Sequence, residues 1–444
     1  MSFYLNRFFR KLPRAQLYGN SFALLGATLK ALFGSLNKGS QAVELEKKFA
    51  NRYHRKHTMT ISTARLCLNY TLRAMELPPG SEILMTPLTI ADMVNMIRAA
   101  GHKPVFVEME AGSFNFDMED LEKKITPKSR VLLITYLMGL VPDMDRIAET
   151  ARKHNLQIIE DISQNYGSSY KGKLIGTYGV ASIASVSMMK TVCGYIGGIF
   201  STDNETLYRN FTTICDREIK SSIPRRILLK LLIKNIQLII ATNTTVFSVF
   251  TFYLVKLLTN AFPRVIANFQ RGNINMLTGE PDPILRDTVS EKLFFGFSDI
   301  QADLVLNTMA DSETGNRKRK ELVQKLMETV DKKYHSRLPQ PADFEGSVFW
   351  RYSVMTENPE QFRQFMLERY IDTGLTNLFC CSTVKEFAGY ARPTPIASRI
   401  MSNAVLIPIH AETMKEEDMC WIGQAINDYF EFFPEKPYKV PTAS

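Results

Sequence analysis

Between residues 58 and 202 the sequence alternates short β-rich runs with helical patterns, and this alternation constrains the fold more than any other feature. Runs such as VLLIT and QIIE are apolar throughout, which is typical of strands buried on both faces. The sequence therefore predicts an α/β fold with a mostly parallel sheet and flanking helices. A short run, GGIFST, is expected to pair antiparallel. The predicted parallel strands are HTMTIST (57–63), SEILMTP (81–87), KPVFVEM (103–109), RVLLITYL (130–137), LQIIEDI (156–162) and VASIASVSM (180–188).

The remaining sequence predicts three further parts. From about residue 300, helical periodicity over 299–311 and 315–331 precedes a strand-like run at 347–355 and helices at 359–369 and 415–430, which indicates a small C-terminal α+β domain. The predicted division is an N-terminal basic and helical segment, a large domain, a basic apolar helical segment, and a linker with the small domain. Their ranges are 1–36, 37–216, 217–271 and 272–444.

The net charge of +9 is concentrated in two places. Residues 1–14 contribute +4 and residues 217–271 contribute +8, so the other 375 residues carry −3. Such an excess can indicate nucleic acid, an anionic membrane or an acidic ligand. Because aliphatic and aromatic residues surround these charges, a membrane is favoured over nucleic acid. The six Cys and six His lack ligand spacing, so no metal site is expected, and the absence of a signal-peptide pattern predicts a cytoplasmic protein.

Polar residues follow several of the predicted strands. Asp161 ends QIIED, Ser185 ends ASIAS and precedes Lys190, and Ser62 and Thr63 follow the first strand where a helix begins. In open α/β sheets, ligands bind outside the carboxyl ends of the strands. A lysine, a carboxylate and a helix start bearing hydroxyls are together what pyridoxal phosphate requires. Singly, these residues could be a surface lysine, a turn aspartate and a helix cap.

Longer strings carry a family resemblance. ISTARLCL, SEILMTPLTIADMVNMIRAAGHKPVFVEME, HNLQIIEDISQNYGSSYKGKLIGTYG, SVSMMKTVCGYIGG and FSDIQADLVLNTM keep the order and spacing seen in DegT/DnrJ/StrS-type aminotransferases. Residues 37–202 resemble the family's large domain, and the similarity resumes over about 298–430. The resemblance implies a fold type I transferase with a seven-stranded sheet. It also implies a pyridoxal 5′-phosphate cofactor and a homodimer.

The resemblance also implies roles for individual residues. Lys190 matches the Schiff-base lysine, which also shuttles a proton, and Asp161 would pair with the pyridinium nitrogen. Gln164 would lie against the ring's phenolic oxygen. Ser185, Ser62 and Thr63 would bind the phosphate. Members that became dehydratases have lost this lysine, so Lys190 favours transamination.

This sequence departs from the family pattern at three places. Ile90 aligns where an aromatic residue usually stacks on the cofactor. Phe294 and Gly296 align with an asparagine and an arginine that reach towards the partner subunit. TVCGYIGG replaces the usual acid-containing loop after the lysine. These departures affect the expected inter-subunit phosphate contact and nucleotide-sugar specificity.

The segment 217–271 has no counterpart in the typical family member. Arg226, Lys230 and Lys234 form a basic stripe, beside an apolar face that is formed by Ile227, Leu228, Leu231 and Leu232. Asn235–Val255 is uncharged but contains eight polar residues, so the pattern favours a hairpin embedded in the membrane surface over a membrane span. The alternative is a helical insertion that packs on a partner subunit.

The predicted function is transfer of an amino group, with glutamate as the expected donor, to a keto-sugar or a membrane-linked carbonyl in glycan or glycolipid biosynthesis. The protein is expected at the inner face of the membrane. Two alternatives stay open: another pyridoxal-phosphate reaction such as elimination or epimerisation, and a non-catalytic member that binds a membrane or a partner.

Overall fold

The computed structural model describes residues 10–15, 21–110, 112–261 and 283–436. The central sheet has seven strands in the order β1-β10-β9-β6-β5-β2-β4, and all but β10 run in one direction. The predicted mostly parallel sheet and the antiparallel GGIFST strand are confirmed. The strands of this part of the chain are β1 His57–Ile61, β2 Glu82–Met85, β3 Leu88–Thr89, β4 Lys103–Phe106, β5 Ser129–Thr135, β6 Gln157–Asp161, β7 Ser169–Tyr170, β8 Lys173–Leu174, β9 Ala181–Ser185 and β10 Gly198–Thr202.

Helices flank this sheet, and several begin where a side chain caps the free backbone N–H groups. Thr63, Asp117, Asp143 and Asn204 each accept a hydrogen bond from the first turn of the helix that follows. These caps fix where the chain leaves the sheet. The helices are α1 Ser21–Phe33, α2 Ser40–Tyr53, α3 Ala64–Ala74, α4 Ala91–Ala99, α5 Met118–Lys124, α6 Met144–Lys153 and α7 Glu205–Glu218.

The basic segment continues as α8 Arg225–Thr242, α9 Thr244–Val246, a π-helical turn Phe247–Thr251 and α10 Phe252–Ala261. The predicted hairpin is wrong, because the two parts meet at a bend of 60° instead of reversing direction. Within the described residues, no single helix is long and apolar enough to cross a bilayer, although the bent pair passes that test by length and composition. Residues 262–271 of the predicted segment lie outside the described ranges.

The apolar face predicted on α8 exists, but it contacts protein. Leu228, Leu231 and Leu232 are buried with Leu24 and Ala27 of α1, and the same cluster includes Cys193, Tyr195 and Ile196. Burying these side chains against α1 leaves Arg226 and Lys230 exposed on the outer face. The part of the basic segment that follows α8 instead exposes an apolar face of its own, with side chains at helical spacing. We name it the distal apolar face: Val246, Val249, Phe250, Tyr253, Leu254 and Leu257.

The small domain is built on one long helix, α11 Asp299–Thr329, rather than on two helices. Gly315 does not break it, because the helix packs along its length on large-domain helices and on the last helix of the chain. A three-stranded antiparallel sheet completes this domain in the order β11-β14-β12, and β13 pairs with β3 of the large domain. Its elements are β11 Tyr352–Met355, α12 Pro359–Glu368, β12 Gly374–Leu375, β13 Phe379–Cys380, α13 Pro395–Asn403, β14 Ala404–Ile407 and α14 Glu416–Phe432.

The basic N-terminal residues belong to this small domain in the fold. Arg10 pairs with Asp418 at 2.7 Å and Arg14 with Asp372 at 2.6 Å. Lys11 lies over the rings of Tyr253 and two other aromatic residues. These three charges are therefore held by protein groups, which removes them from the predicted membrane surface. Residues 1–9, including Arg7, lie outside the described ranges.

Candidate functional site

A cavity of about 310 Å³ opens at the edge of the sheet where β1, β5, β6 and β9 end. This volume lies in the range of small-molecule sites. Six of the seven predicted site residues line it, as do residues of the small domain, so the two domains form the cavity together. The residues that matter for its chemistry are Thr63, Ile90, Met138, Asp161, Ser163, Gln164, Ser185, Ser187, Lys190, Trp350 and Arg351.

Lys190 lies in the turn that follows β9 and contributes the amine of the cavity. Burial lowers the pKa of Lys190 to about 8, because desolvation disfavours the charged ammonium; nearby Asp161 opposes this shift and Arg351 adds to it. The amine lies 4.2 Å from the ring centroid of Trp350. At pH 7 about one lysine in ten is thus neutral, a condition for reaction as a nucleophile.

Asp161 ends β6 and supplies the buried carboxylate of the site. Its Oδ1 accepts the Ser163 N–H at 3.0 Å. Burial raises the pKa of Asp161, whereas the Ser163 hydrogen bonds and the charge of Lys190 lower it. Gln164, three residues later, accepts the Met138 N–H through Oε1 at 2.7 Å, which fixes the side-chain amide at the cavity wall.

Hydroxyl groups and a helix start form another part of the wall. Thr63 caps α3, accepting the Leu66 N–H at 3.2 Å. The hydroxyls of Ser185 and Ser187 lie 2.8 Å apart. A Cβ on Gly198 would come within 2.3 Å of the Thr63 carbonyl carbon, so only glycine lets β10 approach the start of this helix. A helix start with adjacent hydroxyls suits an anionic group such as phosphate.

The remaining predicted residues lie in different settings. Ile90 precedes α4, lines the cavity and is partly buried. Ser62 is fully buried, its hydroxyl donates to the Leu293 carbonyl at 2.6 Å, and it is not among the described residues that line the cavity. Gly296 donates its N–H to the Ser221 carbonyl at 2.8 Å, so this stretch contacts the basic segment of its own chain.

Sequence reasoning missed Trp350 and Arg351, because both lay in a run interpreted as a strand over 347–355. The strand begins only at Tyr352. The preceding N–H groups of Val348 and Phe349 donate to the Gly139 carbonyl, and Phe349 adopts a left-handed φ of 46°. This backbone bends into the cavity instead of joining a sheet. The available signal in the sequence was the adjacent pair of an aromatic residue, Trp350, and a cation, Arg351.

Residues 25–232 match the profile of the DegT/DnrJ/EryC1/StrS aminotransferase family. Over this region the chain is therefore similar to that family. It is 35% identical over 172 residues to GDP-perosamine synthase of Escherichia coli O157:H7, a match that covers 39% of this chain. The chain spans only 47% of the length of that relative.

Solved structures extend the likeness in fold to almost the whole chain. The aminotransferase of Psychrobacter cryohalolentis superposes with a TM-score of 0.71, covering 95% of this chain and 100% of its own, at 17% identity. The GDP-4-keto-6-deoxy-D-mannose-3-dehydratase of E. coli, solved with bound hydrated PLP, gives 0.69 over 94% of this chain and 99% of its own, at 14% identity. At such identities, the comparison concerns the fold alone.

Proposed function

We propose that this chain is a pyridoxal-phosphate-dependent aminotransferase that moves an amino group from glutamate to the carbonyl of a keto-sugar. The observation that carries the proposal is the approach of Lys190 and Asp161 to one cavity at the sheet edge. The burial that lowers the pKa of Lys190 to about 8 favours a reactive amine there. The match of residues 25–232 to the aminotransferase family profile supports the same chemistry.

The cavity has the groups that the cofactor needs. Thr63 and Ser185 would hold the phosphate, since one caps a helix start and the other presents a hydroxyl. Asp161 would hold the proton of the pyridine nitrogen, and Gln164 would face the phenolic oxygen. Ile90 would cover the ring with an aliphatic side chain. The described lining thus fits the cofactor, with Ser62 acting indirectly by holding the backbone before Thr63.

Each residue has a defined task in this proposal. Pyridoxal phosphate supplies an aldehyde that condenses with amines and a ring that accepts electrons. Lys190 would hold the cofactor through its neutral Nζ, and as a free amine it would accept a proton from the substrate carbon and return it. The buried carboxylate of Asp161 would keep a proton on the ring nitrogen, because a positive charge beside it would be stabilised in a low dielectric.

The absorbance spectrum of the purified chain with pyridoxal phosphate tests this proposal. We expect a visible band that glutamate abolishes and that a keto-sugar acceptor restores. Lys190→Ala should lack the band, whereas Lys153→Ala, which removes an exposed lysine, should keep it. A band that does not respond to any amino donor would instead favour elimination or epimerisation. A wild-type chain without any band would favour the non-catalytic alternative.

We further propose that the acceptor is membrane-linked and that the distal apolar face contacts the bilayer at its inner surface. Its six side chains are between 36% and 72% exposed, which is unusual for large apolar residues that follow one helical face. Exposed Arg226 and Lys230 add positive charge that suits anionic lipid headgroups. A helix segment lying in the interface would bury this face without crossing the membrane.

Vesicle sedimentation tests the membrane proposal. Val249→Asp/Phe250→Asp/Leu257→Asp should abolish binding to vesicles that contain one-third anionic lipid, because charges replace the inserted side chains. The control is Phe432→Asp, which changes an equally exposed aromatic residue on α14. Equal binding by the triple variant and the wild type would contradict the proposal. A change in oligomeric state without a change in vesicle binding would identify the face as a subunit contact.

We also propose a homodimer, on the strength of the family resemblance. The stretch around Gly296 contacts the start of the basic segment within its own chain, through the Ser221 carbonyl and a bridge with Ser222. We therefore expect the usual cross-subunit contact to be replaced there. The molar mass in solution, measured by light scattering, should be twice the 50.6 kDa of the chain.

A further inference from the structure

Trp350 is held at the cavity by backbone contacts that leave it little freedom. Gly139, with a φ of 82°, packs so closely that a Cβ there would lie 2.3 Å from the Trp350 nitrogen. The Gly139 carbonyl accepts the Val348 and Phe349 N–H groups at 3.0 and 3.2 Å. The loop after β5 thus fixes where the indole ring enters the cavity.

The indole contacts the lysine turn at two points. Its Nε1 donates to the Met189 carbonyl at 2.8 Å. Met189 immediately precedes the lysine and has a left-handed φ of 72°, a conformation that needs support in a residue with a side chain. The Lys190 amine lies 4.2 Å from the centroid of the same ring, so Trp350 contacts both the backbone and the reactive end of the residue.

Four groups act on the Lys190 amine electrostatically. Asp161 favours the charged form of the amine, and Arg351 disfavours it. Cys193 favours the charged form to a smaller extent. The fourth is the negative face of the indole, which attracts a protonated amine and which also has the Arg351 guanidinium 4.6 Å from its centroid. The ring therefore offers the ammonium a stabilising contact in addition to the charge of Asp161.

We propose that Trp350 is the positioning residue for Lys190: its face receives the protonated amine whenever the lysine is not covalently engaged, and its N–H holds the turn that carries it. The part of this role that concerns a lysine released from the cofactor rests on the proposed aminotransferase function. The contact with the free lysine does not. Because position 90 is aliphatic, Trp350 also supplies an aromatic wall from the other domain.

The first test measures the pH midpoint at which added pyridoxal phosphate combines with the lysine, by absorbance. Removing the ring in Trp350→Leu removes stabilisation of the ammonium, so the amine becomes neutral at lower pH and the midpoint should fall by about 0.5 to 1 unit. Trp350→Phe keeps a ring face and should shift less. Trp421→Phe, at the other tryptophan of the chain, should leave the midpoint unchanged. A midpoint in Trp350→Leu at or above the wild-type value would overturn the proposal.

A second measurement leaves Trp350 intact. In the Trp421→Phe chain without added cofactor, Trp350 is the sole tryptophan, and its emission should change with pH around a midpoint near 8 as Lys190 loses its proton. Lys190→Met in the same background should abolish this change. Identical profiles in the two chains would overturn the proposal even if the enzyme proved inactive. A titration without amino-donor activity would retain the contact and reject the proposed function.

Discussion

The cavity edge and the basic segment differ in how their polar and apolar residues are used. At the cavity, the local strand patterns place Asp161, Ser185 and Thr63 at strand ends. Because the strands are parallel, those ends lie together at one edge of the sheet. In α8 the helical pattern predicts an apolar face but not its partner. That face packs on α1, and the exposed apolar surface lies farther along the chain. Periodicity specifies a face, whereas tertiary packing decides what covers it.

The two regions are nevertheless in contact. The cluster that buries α8 includes Cys193, Tyr195 and Ile196, which follow the lysine turn. Packing of the basic segment therefore supports the backbone after Lys190. At its other end, Phe252 contacts Leu367 of the small domain, so the segment connects both domains that form the cavity.

The largest expected effect concerns the cavity. Asp161→Ala removes a buried carboxylate that would otherwise face a positive charge, and removing one partner of such a pair costs about 3–5 kcal/mol. We expect kcat/KM for amino transfer to fall by about 10²–10⁴-fold. Asp145→Ala is the control, since that carboxylate is exposed at the surface and pairs with Lys171. Equal losses in the two variants would mean that Asp161 has no special role.

A smaller effect is expected from the packing between the regions. Leu232→Ala should lower the free energy of unfolding by about 2–5 kcal/mol, because Leu232 is fully buried between α8 and α1. Ile240→Ala, on the exposed side of the same helix, should cost less than about 0.5 kcal/mol. Denaturant unfolding of both variants measures the difference. Comparable losses would mean that the outer side of α8 is also buried in the assembled protein.

Much of the fold could be predicted from sequence because its signals are local. Uniformly apolar strands identified the sheet, and the residues after them identified Lys190 and Asp161 as lining one site, to which the family resemblance added Gln164. Trp350 could not be found this way, since its entry into the cavity depends on Gly139, more than 200 residues earlier in the chain. Ser62 shows the same limit, because its hydroxyl contacts the distant Leu293 carbonyl.

The smallest expected effect separates charge from burial in the basic segment. Arg226→Gln/Lys230→Gln should weaken binding to anionic vesicles by roughly 1 kcal/mol for each charge, with the apolar contact unchanged. Lys47→Gln/Lys48→Gln removes the same charge from α2 and should have little effect. Raising the salt concentration should reduce the difference between the pairs, because it screens exposed charges. Equal weakening by both pairs would show that net charge, rather than the position of the basic stripe on α8, governs attraction to the membrane.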